Sequence, residues 1–548
     1  MTSSPGSKEQ ATSAVAPPNI PVGDIRSPAR RLPSGVPNLD LVLGGGLPRG
    51  ALILVTGVPG SGKTTLSSQM VFTAARDGKN VLILSALSES SSKLIEHLAG
   101  FRFFDRNLIG GVVRFLALER ILSEGLAACA TTIFAEARKT RADYVLLDGF
   151  RGMPGVEADP PAARTFLYDV GTTLNTIGVT TLVTSETDPH DPRIFPETTT
   201  ADVILGLHYA LLGARQYRGI EVIKARGAAQ LPGMHAVVLD AGGITVYPQL
   251  EERLLAESPV FAPPKAKARV SGVGAASVGR ASFGSTELDA MLRGGIPQGT
   301  CTVLAGSLGT GKTLLSINYA LAGVRAGEPV VFLSFRESMD QIRQVGRPFA
   351  FADDLSRALD PGGGLTFLET PPIKLDADVL ADRLLAELDR HRARRVIVDS
   401  VAELERAVLH GADPQRLEDY LAALLQAFRR RNVTALLLKE TDKVVAASLE
   451  LSADALSVLA ENVLLLQHIP YHSRLYRIIS VPKLRFSDHD TAIREFRIQA
   501  PEGLRVLAAV DSDEGVLSGI TGGLEWQAMV LSGQTAHGER TGDHGTSQ

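Results

Sequence analysis

Two stretches of this chain read as copies of one another. Gly35-Val-Pro-Asn-Leu-Asp-Leu-Val-Leu-Gly-Gly-Gly-Leu-Pro-Arg-Gly50 matches Gly284-Ser-Thr-Glu-Leu-Asp-Ala-Met-Leu-Arg-Gly-Gly-Ile-Pro-Gln-Gly299, an offset of 249 residues. Lys63 and Lys312 keep that offset. It then drifts only slightly, to 248 for Glu89 and Glu337, 251 for Asp148 and Asp399, and 259 for Lys224 and Lys483. Register held over so long a span means two copies of one domain. Each is large enough to bury its own core, and 548 residues exceed what a single core serves.

Within a copy, short apolar runs alternate with amphipathic stretches. The first copy has strand-like runs at 52–56, 81–85, 112–116, 144–148 and 181–185. The second has them at 302–305, 330–334, 365–368, 395–399 and 434–438. Near-continuous Val, Ile and Leu in the strands, with helices between, predicts an α/β fold: a mostly parallel sheet in each copy, covered by helices on both faces. Later runs at 219–224 and 476–481 fit an antiparallel extension at the sheet edge. The predicted organisation is a disordered arm (1–30), a first domain (31–257), a linker (258–280), a second domain (281–523) and a flexible tail (524–548).

Both copies carry a phosphate-binding pattern. Gly57-Val-Pro-Gly60-Ser61-Gly62-Lys63-Thr64 is followed by Thr65, and Gly306-Ser-Leu-Gly309-Thr310-Gly311-Lys312-Thr313 by Leu314. Glycines let successive backbone N–H groups converge on an anion at a helix N-terminus. The lysine meets the outer phosphates and the following threonine hydroxyl ligates Mg²⁺. Each pattern follows a strand and precedes a helix-like run, which makes ATP with Mg²⁺ the expected ligand, with Thr64 and Thr313 on the metal. Asp148 and Asp399 end apolar strands, where an acid lies beside such a loop and holds the metal's water shell. Ser185-Glu186-Thr187 and Lys439-Glu440-Thr441 occupy matching positions beyond a further strand.

Composition narrows the class. There are 56 Lys and Arg against 60 Asp and Glu, a net charge of -4, which argues against a nucleic-acid coat. The best basic clusters, His391-Arg-Ala-Arg-Arg395 and Arg429-Arg-Arg431, precede strands and read as helix ends meeting the dipole. No run reaches the roughly 18 apolar residues of a membrane span. Cys129 and Cys301 are the only cysteines, so no disulfide framework is expected, and the eleven histidines show no metal-ligand spacing. A cytoplasmic protein is the class that remains.

The double phosphate loop, the Gly-Gly-x-Pro-x-Gly segment before each, Lys224-Ala-Arg226-Gly227, Lys483-Leu-Arg485-Phe-Ser-Asp-His489-Asp490 and Glu514-Gly-Val-Leu-Ser-Gly-Ile-Thr-Gly522 together resemble the KaiC family of double-domain RecA-like P-loop ATPases, which includes the bacterial circadian clock protein. The resemblance runs from about Pro33 to Gly523. It implies two tandem RecA-like domains and a homo-oligomer, a hexameric ring with nucleotide between neighbouring subunits. Lys224, Arg226, Lys483 and Arg485 would then reach the next subunit's nucleotide. It further implies a slow ATPase, serine/threonine autokinase activity, and a signalling protein partner, KaiB-like or a sensor kinase. Two alternatives stay open: a nucleotide-gated scaffold without hydrolysis, and a RecA-like DNA-binding ATPase.

The chain departs from that family in two places. The family carries adjacent glutamates after the second strand, where this chain has Ser88-Glu89 and Arg336-Glu337. Glu89 and Glu337 are the catalytic candidates, as bases or metal-shell ligands, with surface residues as the plain alternative. Arg336 stays protonated and cannot act as a base; it would pair with a phosphate or with Glu337. The family's adjacent Ser-Thr phosphorylation pair aligns with Ser457-Val458, and valine has no hydroxyl. Ser457 is therefore the one aligned phosphoacceptor, or an ordinary helix-cap hydroxyl.

Overall fold

The computed structural model describes residues 31–85, 91–212, 215–257, 279–409, 415–441, 455–471 and 474–507. The predicted arm, most of the linker, the tail, Ser88-Glu89 and the 514–522 motif lie outside these residues.

The chain forms two compact units, the second taking the chain from Tyr247 onward together with the short stretches Ala210–Tyr217 and Met234–Ala236. Each is built on a nine-stranded sheet. In the first the strands run in the order Val113–Ala117, Val81–Ser85, Tyr144–Asp148, Thr180–Ser185, Leu52–Gly57, Val203–Leu212, Arg215–Ala225, His235–Asp240, Gly243–Tyr247. The second repeats it: Leu365–Glu369, Val330–Ser334, Arg395–Asp399, Thr434–Glu440, Cys301–Gly306, Asn462–Tyr471, Arg474–Leu484, Arg494–Gln499, Gly503–Val506. The first six strands are parallel in both. The last three of the second sheet extend it antiparallel.

The central strands are buried along their whole length, which is why they read as unbroken apolar runs. Separate apolar clusters fill the two sides of each sheet. Helix Leu250–Ala256 packs in the second unit, where Leu250 is buried in the core, its N–H donates to Asp378 Oδ1 at 3.1 Å, and Glu251 pairs with Arg416.

The Gly-Gly-x-Pro-x-Gly segment has a structural cause. Arg31–Leu32 pairs with Leu47–Pro48, and Arg280–Ala281 with Ile296–Pro297, as two-residue antiparallel ribbons. Gly46 and Gly295 turn the chain at φ of 100° and 118°. A Cβ at Gly295 would stand 2.3 Å from the Ala281 carbonyl oxygen, so only glycine fits.

Candidate nucleotide sites

In each unit the phosphate loop leaves the central strand and enters a long helix, Lys63–Arg76 or Lys312–Arg325. The helix caps are Gly62 and Gly311, left-handed at φ of 106° and 103°, and neither offers a side-chain cap. The first N–H groups of each helix are left without an intrahelical partner and constitute an anion site. In the first loop Ser61 Oγ is shut from solvent and has no hydrogen bond, as expected of a group arranged for a ligand. The loops close tightly on their strands: a Cβ at Gly57 would lie 2.4 Å from the Leu207 carbonyl oxygen, and one at Gly306 would lie 2.7 Å from that of Leu466.

The lysines fold back over their own loops. Lys63 Nζ donates to the Val58 carbonyl at 3.1 Å, and Lys312 Nζ to those of Gly306 and Ser307 at 2.8 and 2.9 Å. Burial pushes both ammonium groups below the usual lysine range, opposed by Glu186 and Asp148 in the first unit and chiefly by Glu440 and Asp399 in the second. A bound polyanion would relieve that cost. Thr64 Oγ1 donates to Asp148 at 3.2 Å, and Thr313 Oγ1 to Asp399 at 3.0 Å. This is the hydroxyl–carboxylate pairing that a Mg²⁺ ion and its waters would use, so the residues present fit Mg²⁺. Thr184 Oγ1 also donates to Asp148, at 2.6 Å, and accepts from Gly149 N, which fixes the strand end. In the second unit burial, then the neighbouring Glu337, raises the Asp399 carboxyl to about 6.

A cavity of about 380 Å³ opens over the first loop, lined by Lys63, Thr64, Asp148, Glu186 and apolar residues such as Leu94 and Phe101. A larger one, about 640 Å³, lies between helices Leu126–Thr140 and Pro160–Thr176, away from the phosphate loop.

Arg336 is committed elsewhere than the sequence suggested. Its guanidinium grips Glu403 at 3.1 and 3.2 Å and Glu440 at 2.8 Å, rather than Glu337. Glu403 is buried, and Ser400 and Arg406 also donate to it. Linear sequence does not bring these groups together. The first unit has a different arrangement around buried Glu197, which accepts from Arg151 at 3.1 Å and Ser185 at 2.8 Å. Glu337 stays just beyond strand Val330–Ser334, where its backbone carbonyl accepts from Ser334 Oγ at 2.8 Å.

The four interface candidates lie at the opposite end of the sheets. Arg226 N bonds the Asp202 carbonyl, Asp202 N bonds Leu52 O, and Arg226 reaches the Asp202 carboxylate at 3.3 Å. Leu52 starts the strand that ends at Gly57, so about 17 Å of strand separates this layer from the phosphate loop. Lys224 lies beside Arg226, and burial and that neighbouring charge lower its pKa. In the second unit Lys483 Nζ donates to the carbonyls of Ser457, Val458 and Ala460 at 3.1, 3.2 and 2.7 Å. It thereby caps the short helix Ala455–Leu459, which carries Ser457. Val458 is exposed. Arg485 N bonds the Glu461 carbonyl at the same end.

Each basic cluster has members held in ion pairs with acids of the same unit. Arg395 is buried against Glu328 and lies over Tyr319; Arg429 meets Glu461 and Arg431 meets Asp389. Among the described residues no helix is long and apolar enough to cross a membrane.

A family model described as the KaiC ATPase matches residues 32–251 and again 282–511. The circadian clock oscillator protein KaiC of Picosynechococcus sp. PCC 7002 is 24% identical over 495 residues, covering 88% of this chain and 91% of that one. That of Thermostichus vulcanus is 25% identical over 501 residues, covering 89% and 91%. The circadian clock oscillator protein KaiC 1 of Synechocystis sp. PCC 6803 is 24% identical over 513 residues, covering 92% and 93%. With both phosphate loops, both sheets and nearly the full length accounted for, the chain belongs to the KaiC ATPase family.

Proposed function

We propose that each chain binds two ATP·Mg²⁺ and that the bound nucleotide joins neighbouring copies into a ring, hexameric as the family resemblance implies, whose state signals to a protein partner. Lys63 and Lys312 neutralise the outer phosphates, and the N–H groups after Gly62 and Gly311 hold them. Thr64 and Thr313, with Asp148 and Asp399 behind, would hold Mg²⁺, which supplies charge neutralisation at the transferring phosphoryl group.

The observation that carries the reading is the sidedness of the charges. The lysine–threonine–aspartate sets lie at the C-terminal ends of the strands in both units. Lys224, Arg226, Lys483 and Arg485 lie at the other end, about 17 Å away. They cannot serve their own phosphate loops; a neighbouring copy's loop is the anion site within their reach. Cations supplied in this way stabilise phosphoryl charge and make assembly depend on nucleotide.

Hydrolysis is slow on this reading, with Glu89 and Glu337 orienting water. The clamp of Arg336 on Glu403 and Glu440 favours a second reading for the second unit, a nucleotide-gated scaffold that holds ATP with little turnover. Ser457 is the phosphoacceptor if an autokinase step operates, and Val458 precludes a two-site cycle. Radiolabelled-ATP turnover on the purified chain tests this. Slow phosphate release, lowered by Glu89→Gln, supports the ATPase reading. Release from wild type that matches the Lys63→Ala, Lys312→Ala double variant leaves the scaffold.

A further inference from the structure

A side-chain cluster in the first unit, separate from the phosphate contacts, has the chemistry of a transition-metal site. His208 lies on strand Val203–Leu212 and Glu221 on the adjacent strand Arg215–Ala225, while His190 comes from the loop after Thr180–Ser185. His190 Nε2 is 3.3 Å from Glu221 Oε1, and His208 Nε2 is 3.1 Å from the same oxygen. All three ligand atoms fall within 4.8 Å of one another. A tetrahedral ion with bonds of about 2.0–2.1 Å has ligand–ligand edges of about 3.3 Å, so two edges already match.

Two further observations point to a ligand. His208 Nε2 and Glu221 Oε1 are both shut from solvent, and among the described residues their only close polar contacts are the ion pairs within this trio, poorly aligned as hydrogen bonds. Buried polar atoms left in this state are costly, and an ion between them would remove the cost. The backbone also positions the third ligand. A Cβ at Gly206 would stand 2.9 Å from both Pro189 and Ile223, so this glycine lets the loop lie on the sheet. Gly206 and His208 share a face, as do Glu221 and Ile223, which puts the next layer of that face under His190. Asp188 Oδ1 accepts from the His190 N–H at 2.9 Å and fixes the turn.

We infer that His190, His208 and Glu221 bind a divalent transition-metal ion of the zinc class. Two imidazoles and one carboxylate suit such an ion and not Mg²⁺ or Ca²⁺, which take oxygen ligands. His190 is 63% exposed, which leaves the fourth coordination position to solvent or a small ligand. The same loop begins at Glu186, which lines the phosphate cavity, so the ion ties that loop to the sheet beside the first phosphate site.

The test is titration of the full nucleotide-free chain with Co²⁺, in excess Mg²⁺ to block the phosphate-loop sites, followed by visible spectroscopy. The expected result is one Co²⁺ per chain with the intense bands of a tetrahedral site, displaced by Zn²⁺. His190→Ala, an exposed change that leaves the fold intact by circular dichroism, should weaken binding at least about tenfold. Glu221→Gln should abolish the tetrahedral spectrum. No Mg²⁺-resistant Co²⁺ binding, or an unchanged spectrum and affinity in His190→Ala, would overturn the inference and leave the trio as a carboxylate shared by two imidazoles.

Discussion

The carboxyl of Asp399 gives the sharpest test of the electrostatics built into the second phosphate site. Its folded-state value is about 6 against 3.8 for the free group, because it is buried and faces Glu337. The hydrogen bond from Thr313 and the charge of Lys312 offset this only in part. Between those two values the folded chain keeps a proton that the unfolded chain has released. Stability therefore falls as pH rises from about 4 to about 6, and the loss levels off above. Two pH units correspond to about 3 kcal/mol. Asp399→Asn cannot ionise and escapes this penalty. The variant should gain on wild type by about 2 kcal/mol between pH 4 and pH 7, the rest of the ~3 kcal/mol being lost already below pH 4, whatever the other carboxylates contribute in common. The assay is urea unfolding of the nucleotide-free, Mg²⁺-free chain, with pulse hydrogen exchange reading peptides of Cys301–Gly306 and Arg395–Asp399. That readout isolates the second unit in a chain that need not unfold in one step. A gap between variant and wild type that stays constant or narrows with rising pH would refute the reasoning.

Other outcomes follow from the same geometry. Lys312→Ala should weaken binding of a fluorescent ATP analogue at the second site on the order of 10- to 100-fold, the worth of a charge-assisted contact, and leave the first site near wild type. Gly57→Ala should impair ATP binding at the first site, since its Cβ would overlap the Leu207 carbonyl and Ser61 Oγ at 2.4 and 2.6 Å; calorimetric titration reads it. Lys483→Ala removes three hydrogen bonds, to the carbonyls of Ser457, Val458 and Ala460, so hydrogen exchange in Ala455–Leu459 should speed up even without nucleotide. Arg336→Glu should destabilise the second unit by about 1–2 kcal/mol instead of restoring turnover, because it sets a third carboxylate near Glu403 and Glu440 at a half-exposed position where solvent screens the repulsion; thermal unfolding and phosphate release check both halves.

Much of the fold was legible because the sheets are buried on both faces. Strands 81–85, 144–148, 330–334 and 395–399 lie where the apolar runs put them. The expected 112–116 falls at Val113–Ala117, whose last residue is exposed and gives no apolar signal, and 302–305 lengthens to Cys301–Gly306, since the buried flanking Cys301 and Gly306 carry no strong hydropathy signal. The edge runs at 219–224 and 476–481 are longer, Arg215–Ala225 and Arg474–Leu484, because exposed hairpin ends admit polar residues. The phosphate loops were readable because glycine, lysine and threonine must stand in fixed order. Contacts made across the sheet were not. Arg336 meets Glu403 and Glu440 over 67 and 104 residues, and nothing local announces either partner. Lys483 has the same problem: its place in a family motif says nothing of the helix end it caps. The His190, His208 and Glu221 cluster escaped a search for ligand spacing because its members come from a loop and two strands.

The central claim is that nucleotide at the phosphate loops joins one copy to the next through cations on the far end of each sheet. Native mass measurement of the full chain with and without ATP·Mg²⁺ tests it directly. The account predicts a closed ring carrying two nucleotides per chain in ATP·Mg²⁺, lost on nucleotide removal and in the Lys63→Ala, Lys312→Ala double variant. A chain that binds both nucleotides yet stays monomeric, or a ring that persists unchanged in that variant, would contradict it.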